Sequence, residues 1–190
     1  TGVPIPARKR RHHPLVANLP LTWSVVGSGD FTGSGRSGVL WRDTSGNTVI
    51  STTNASGGIA ASTFVVNLPA PWTVAGVGDF NGDGTADILW RNSTTGDMVI
   101  SYMGAGTPAI TSSQYIVTLA SPWTVGGVGD FDGNGKADIL WRNANTGDTV
   151  ISLMNAGGTA IASSTLAATV PTTWSVAGIG DFSASGRAGV

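Results

Sequence analysis

The chain is a succession of short apolar stretches separated by Gly, Asn, Asp, Ser and Pro. Within the stretches, apolar and polar positions alternate. Between residues 86 and 91, Ala86, Ile88 and Trp90 fall on one face and Asp87, Leu89 and Arg91 on the other. A period of two with apolar residues on both faces predicts a strand buried between neighbouring sheets. Thr94 to Asp97 (TTGD) and Asn145 to Asp148 (NTGD) read as hairpin turns between two such strands.

The pattern repeats. Trp23, Trp72, Trp123 and Trp174 open near-identical segments at spacings of 49, 51 and 51 residues: WSVVGSGDF, WTVAGVGDF, WTVGGVGDF and WSVAGIGDF. Three of these continue through a Gly-rich loop to VLWRD, ILWRN and ILWRN. A third segment (NTVISTTN, GDMVISYMG, GDTVISLMN) and a fourth (STFVVNLP, SQYIVTLA, STLAATVP) close each unit. Four strands per unit of about 50 residues is the signature of a β-propeller blade. The expected fold is therefore all-β, a propeller of four-stranded blades over residues 15–190. Leu15 to Leu19 (LVANL) matches a fourth strand, Trp174 to Phe182 a first, and Arg187 to Val190 the start of a second. That makes roughly fourteen strands, or about three and a half blades, where propellers have about four to eight. An open half-propeller exposes two apolar sheet faces. The expected partner is a second copy of the chain, a dimer closing seven blades with two-fold symmetry, or else the missing remainder of a longer propeller.

The loops after the first strands of the two middle units carry the chemistry. They read Asp79-Phe-Asn81-Gly-Asp83-Gly-Thr85-Ala-Asp87 and Asp130-Phe-Asp132-Gly-Asn134-Gly-Lys136-Ala-Asp138. Oxygen-bearing side chains fall at positions one, three, five and nine, with Gly at six. A hard cation such as Ca²⁺ takes six to eight oxygens. Alternating Asp and Asn on a curled loop turn those oxygens inward, and Thr85 and Lys136 at position seven offer backbone carbonyls. Position twelve is Trp90 or Trp141 rather than the bidentate Glu of an EF-hand, so the ninth Asp has to complete the sphere with water. Mg²⁺, which prefers rigid octahedral sites, fits less well. The alternative is an Asx-rich turn that binds nothing. Two loops with the same four oxygens in register with the repeat favour calcium, about two ions per chain.

The outer loops differ. Asp30-Phe-Thr32-Gly-Ser34-Gly-Arg36-Ser-Gly38 and Asp181-Phe-Ser183-Ala-Ser185-Gly-Arg187-Ala-Gly189 each keep one Asp and gain an Arg at position seven. They are expected to be metal-free. Arg36 and Arg187 either pair with Asp30 and Asp181 or point to solvent.

The segments GDFNGDGTADILWRN and GDFDGNGKADILWRN resemble the FG-GAP/VCBS repeat of integrin α-subunit propellers and of many secreted bacterial proteins. The resemblance extends over nearly the whole chain from Leu15. It implies a β-propeller with Ca²⁺ in the loop joining the first two strands, held at Asp79, Asn81, Asp83, Thr85 and Asp87 and at Asp130, Asp132, Asn134, Lys136 and Asp138. It also implies adhesion, carbohydrate binding or scaffolding at a cell surface more often than catalysis.

Composition narrows the function further. Charged residues are only 11% of the 190, and Gly and Pro number 28 and 9, which fits many turns and few long helices. All acidic residues are Asp. Four of the ten basic residues are Arg8, Lys9, Arg10 and Arg11. With His12, His13 and three prolines they make residues 1–14 a basic arm, either flexible or lying on an acidic partner or an anionic surface. The body, from Pro14 on, is mildly acidic, so nucleic acid is not an expected partner. No apolar run is long enough to span a membrane. There is no Cys, which removes disulfides and thiol chemistry. The body has no His, no Glu and no GxSxG elbow, so catalysis is not expected. The start at Thr1 reads as that of a processed or excised product. The seven Trp recur at two fixed repeat positions and are expected to pack between blades rather than to stack on sugars. Arg42, Arg91 and Arg142 are expected to stack or pair with neighbouring loops rather than to bind an acidic ligand. The reading is a secreted or surface calcium-binding module that recognises a glycan or protein. Two alternatives are a self-assembling structural protein and a non-catalytic propeller appended to an extracellular enzyme.

Overall fold

The computed structural model describes residues 20–190; the basic arm and the Leu15 to Leu19 strand expected from the sequence lie outside the described residues. Twelve strands form three four-stranded antiparallel sheets, each in simple sequence order. The first blade holds β1 (Trp23–Gly29), β2 (Gly38–Asp43), β3 (Asn47–Thr53) and β4 (Ile59–Asn67). The second holds β5 (Trp72–Gly78), β6 (Asp87–Asn92), β7 (Asp97–Met103) and β8 (Ile110–Thr118). The third holds β9 (Trp123–Gly129), β10 (Asp138–Asn143), β11 (Asp148–Met154) and β12 (Ile161–Thr169). Among the described residues no helix is long and apolar enough to cross a membrane.

Register repeats with sequence. Val25, Val74 and Val125 pair with Trp41, Trp90 and Trp141. The expected hairpin turns form, with Gly96 and Gly147 N–H donating to the Asn92 and Asn143 carbonyls at 2.8 and 3.0 Å. Their φ values of +83° and +78° are ones that Gly adopts without the cost of a Cβ.

The core lies between blades. Phe31, Leu40 and Ile50 of the first meet Ala86, Ile88, Trp90 and Met103 of the second. Phe80, Leu89, Met98 and Ile100 of the second meet Ile139, Trp141 and Met154 of the third. Strand β6 therefore sends Ile88 and Trp90 into one interface and Leu89 into the other, as its alternation predicts. Full burial of each such side chain contributes roughly 1.5–3 kcal/mol.

Three repeated devices join the blades, and each has a sequence origin. The first is the glycine pair at the end of each first strand. A Cβ on Gly27 would lie 2.6 Å from Val77 Cγ2, one on Gly78 2.7 Å from Ala137, and one on Gly129 2.8 Å from Ile179. The missing side chains let the first strands of successive blades approach, and β1, β5 and β9 do lie side by side. The second is the Arg after the second Trp. Arg91 Nη2 donates to the Leu119 and Trp123 carbonyls at 2.8 and 2.9 Å, where the chain enters the next blade. Arg42 donates to the Leu68 and Trp72 carbonyls, and Arg142 to those of Val170, Pro171 and Trp174. Arg42 also lies over the Trp90 ring, 5.4 Å from its centroid. These side chains hold neighbouring loops, as expected. The third device ties each blade internally. The indole N–H of Trp41, Trp90 and Trp141 donates to Ser51, Ser101 and Ser152, which are in turn bonded to Ser62, Ser113 and Ser164. A buried Trp thereby satisfies its one polar atom.

Arg91→Ala leaves two linker carbonyls without their charged donor. We expect a loss of about 2–4 kcal/mol, read as a lower urea midpoint with an unchanged slope. Arg91→Lys, which lacks the planar fork, recovers little of it.

The last unit departs from expectation. Residues 174–182 do not form a strand; the unit makes a single bridge, Gly180↔Gly189. That pair is the first rung of the ladder seen at Gly29↔Gly38, Gly78↔Asp87 and Gly129↔Asp138. Among the described residues no further rung of that ladder forms in this unit. Trp174 is 68% exposed, whereas its equivalents Trp23, Trp72 and Trp123 are partly buried.

Candidate functional site

The two loops with four oxygen-bearing side chains join β5 to β6 and β9 to β10, on the same side of adjacent blades. Glycines at positions four and six bend each loop, with φ of +77° and +84° at Gly82 and Gly84 and +78° and +83° at Gly133 and Gly135. The curl turns backbone N–H groups onto the first Asp. Asp79 accepts from Gly82, Asp83 and Gly84 N–H at 2.7, 3.1 and 2.8 Å. Asp130 accepts from Gly133, Asn134 and Gly135 at 2.7, 3.1 and 2.7 Å. Position three caps position five: Asn81 Oδ1 accepts from Asp83 N–H, and Asp132 Oδ1 from Asn134 N–H.

The ninth residue is the anchor. Asp87 and Asp138 are fully buried. Asp87 accepts the N–H of Phe80 and of Met103 at the end of β7, both at 2.9 Å. Asp138 accepts those of Phe131 and Met154 at 3.0 and 2.9 Å. Each carboxylate thus ties its loop to the third strand, and each oxygen keeps a further lone pair for another partner. Asp130, Asp132 and Asp138 place one oxygen each within 4.8 Å of one another, and they are the one such carboxylate trio among the described residues. In the other loop Asp83 is drawn toward Thr85, whose hydroxyl and N–H both donate to it, and Asn81 Nδ2 donates to its second oxygen at 2.9 Å. Thr85 is buried, and its hydroxyl also reaches the Met103 carbonyl at 3.2 Å.

Electrostatics distinguish the ninth position from the rest. Burial pushes the Asp87 carboxyl up to about 7; two backbone N–H groups oppose the shift, and the charges of Asp83 and Asp79 add to it. Burial likewise raises Asp138, with Asp132 and Asp130 adding to the effect. Three carboxylates around a shared space, one of them desolvated, make a donor set for a hard cation. Oxygen chemistry and charge suit a hard cation at Asp130, Asp132 and Asp138; the loop from Asp79 to Asp87 carries the same residue classes but does not bring three carboxylates together in this way.

A pH dependence follows. With no cation bound, Asp87 titrates near 7 when folded and near 3.8 when unfolded. A group raised on folding contributes its stability below the unfolded value and loses it as pH rises through the folded one. We expect metal-free protein to lose stability between about pH 4 and about pH 7, by on the order of 4 kcal/mol from this residue. Thermal melts in chelator across that range check this, and Asp87→Asn flattens the slope. Asp30, Asp83 and Asp181, whose carboxyls are lowered, act in the opposite sense and only below about pH 4.

The outer loops are built differently. Asp30 accepts from Thr32 N–H and hydroxyl, both at 3.2 Å, from the Ser34 hydroxyl at 3.4 Å, and from Gly35 N–H. Asp181 accepts from Ser183, Ser185 and Gly186 N–H at 3.2, 3.0 and 2.8 Å and from the Ser183 hydroxyl. The hydroxyls of Thr32, Ser34 and Ser183 add to the loop N–H groups that satisfy the lone carboxylate, Asp30 or Asp181. For Asp181 the Gly186 and Ser185 N–H groups lead in holding the carboxyl below its usual value. At Asp30 burial pulls upward, but N–H groups of the loop outweigh it.

The pairing of Arg187 with Asp181, weighed from the sequence, gives way to another arrangement. The Arg187 side chain lies over Gly133 of the preceding loop, with Cγ 3.1 Å from where a Cβ there would be. Lys136 lies over Gly82, and Thr85 over Gly33, in the same way. Position seven therefore faces the neighbouring blade's loop, which is the physical content of its variation.

Sequence reasoning missed two features. One is the backbone bond between successive loops: Ala86, Ala137 and Ala188 N–H donate to the Asp30, Asp79 and Asp130 carbonyls at 2.7, 2.7 and 2.6 Å. Nothing in side-chain identity announces a main-chain bond. The other is the Trp–Ser–Ser chain, for which the repeated Ile-Ser of Ile50-Ser51, Ile100-Ser101 and Ile151-Ser152 was a visible signal.

Comparison with known families places this geometry. Residues 79–141, which run from the first candidate loop through the second and into β10, match the FG-GAP-like repeat. No curated protein matches the chain.

Proposed function

Starting from residues 79–141 as an FG-GAP-like repeat, we propose that the chain is a calcium-binding β-propeller module of a secreted or cell-surface protein, acting by recognition of a glycan or protein rather than by catalysis. The observation that carries the calcium reading is the convergence of Asp130, Asp132 and the buried Asp138, with the same residue classes in the loop from Asp79 to Asp87. Calcium here is structural. It neutralises a carboxylate that burial penalises, and it fixes the loop that links the blade's first and second strands to its third. Recognition is supported by the outer strands, where Phe64, Tyr115 and Leu166 repeat at one position and are each more than half exposed. An exposed apolar side chain repeated at that position supports a contact role for the outer strands.

Calcium stoichiometry of loop variants tests the assignment. Asp132→Ala loses one ion per chain, and Asp30→Ala loses none, because the Asp30 loop supplies its own donors. Loss of an ion in Asp30→Ala, or no loss in Asp132→Ala, contradicts the assignment.

A further inference from the structure

Two cavities of the molecule are copies of one another, and both lie between complete four-stranded blades. The one between the first and second blades has a volume of about 370 Å³ and the one between the second and third about 230 Å³. The first is walled by Leu68, Trp72, Val99 and Ile110 and takes in the buried Trp90 and Ser101. Every lining residue of the first has the same residue type at its repeat position in the second, as Trp123 has to Trp72; Leu119, Trp123, Val150 and Ile161 repeat the four walls. Neighbouring positions do not repeat in this way: Met98 becomes Thr149, Gln114 becomes Thr165 and Tyr115 becomes Leu166. The wall residues are only partly buried, so packing between blades leaves part of their apolar surface open.

The Trp–Ser–Ser chain supplies the one polar feature of each cavity. An indole N–H only donates, and Trp90 donates to Ser101 at 3.1 Å and Trp141 to Ser152 at 2.8 Å. Ser101 and Ser152 are buried. Among the described residues their hydroxyl hydrogens have one acceptor each, Ser113 at 2.8 Å and Ser164 at 2.7 Å. A buried donor left without an acceptor is costly, and that fixes the direction of the chain: each buried Ser donates outward. The hydroxyls of Ser113 and Ser164, exposed residues of the outer strands that line the two cavities, keep their own hydrogens free to donate, and the bonds behind them polarise those hydrogens.

We infer that each cavity binds an apolar side chain of a partner polypeptide, whose main-chain carbonyl accepts the Ser113 or Ser164 hydroxyl. The inference rests on the recognition reading above and names its occupant. Aliphatic and aromatic walls suit a Leu-like or Phe-like group. The volumes, at the small end of ligand cavities, hold one such group rather than an acyl chain. One free hydroxyl donor calls for one acceptor, which a peptide carbonyl supplies. A sugar brings a ring of hydroxyls, and the only polar side chains among these walls are the two serines. The exposed Tyr115 and Leu166 stand opposite Val99 and Val150 on the same sheet faces, so a polypeptide seated in the cavity continues over them. Identical linings make the two cavities equivalent, and a partner with two apolar side chains at the matching separation engages both.

The test titrates the full chain with N-acetyl-leucinamide and follows the indole N–H resonances by NMR. The titration runs to about 50 mM, because one side chain gives only weak affinity. The Trp90 and Trp141 signals are expected to shift together with matching midpoints, and N-acetyl-glycinamide, the same main chain without the side chain, is expected to shift neither. Ser113→Ala weakens binding reported by Trp90 about three- to tenfold, the worth of one hydrogen bond, and leaves binding reported by Trp141 unchanged. Ser113→Leu, at an exposed position, fills the first cavity and stops the Trp90 response alone. A leucine probe that shifts neither signal overturns the inference, as does a Ser113→Leu chain whose Trp90 signal still responds. Glucose shifting both signals in place of the leucine probe overturns the polypeptide assignment and leaves the recognition reading standing, so the two fail separately.

Discussion

Removing calcium is expected to lower the melting temperature of this protein by about 10–20 °C. A ligand at about one hundred times its dissociation constant stabilises by roughly 2.7 kcal/mol per site. Two sites therefore contribute about 5 kcal/mol, and each kcal/mol shifts the midpoint by about 2–4 °C in a domain of this size. The double variant Asp83→Ala, Asp132→Ala removes one carboxylate from each loop while leaving the anchors Asp87 and Asp138 on their buried N–H partners. It should melt near the metal-free parent whether calcium is present or not. Asp138→Ala is a harsher change. It leaves the N–H groups of Phe131 and Met154 unpaired, which costs roughly 1–3 kcal/mol for each, so it destabilises in chelator as well. The contrast between these variants separates loss of a ligand from loss of a structural acceptor.

The second large effect is expected at the glycine pairs. In Gly76→Val the new Cβ would overlap Val128 Cγ2, a branched side chain with little rotamer freedom that is itself held between blades. Overpacking of this kind costs typically 1–3 kcal/mol. Here the obstruction also forces β5 and β9 apart, and the Ala137 N–H to Asp79 carbonyl bond crosses the same junction. We expect at least 3 kcal/mol and a broadened denaturant transition as the third blade separates. The paired variant Gly76→Val, Val128→Gly exchanges the large and small partners and should recover much of the loss. A double variant no better than Gly76→Val alone would show that the blades are not joined through this contact.

Much of this fold was legible because the repeat reports each element several times. The alternation of Ala86 to Arg91 gave both faces of β6, and the TTGD and NTGD turns placed the hairpins. The two-sided burial of Ile88, Trp90 and Leu89 followed from a pattern with apolar residues on both faces. The last unit was not legible in the same way. WSVAGIGDF carries a first strand's residues, but a strand is a paired object, and local identity cannot supply the missing partner. The candidate loops were legible as a set of oxygens in register. What the sequence did not distinguish was the division of labour among them: Asp87 and Asp138 hold the loop to the third strand, while Asp79 and Asp130 gather the loop's own amides. Position seven was read as a carbonyl donor whose side chain was free to vary. The structure puts that side chain against the next loop, a relation across some fifty residues (one blade) that no local motif encodes. The substitution of Thr32, Ser34, Ser183 and Ser185 for acceptors was read as loss of ligands. That the hydroxyls of Thr32, Ser34 and Ser183 donate to Asp30 and Asp181 needed coordinates.

Direct determination of bound calcium tests the central claim most simply. Purified chain is dialysed to equilibrium against micromolar calcium, and metal and protein are quantified in the same sample. The account predicts two calcium ions per chain for the parent and none for Asp83→Ala, Asp132→Ala. A parent that retains no calcium, or a double variant that retains as much as the parent, would contradict it and leave the loops from Asp79 to Asp87 and from Asp130 to Asp138 as self-bonded turns.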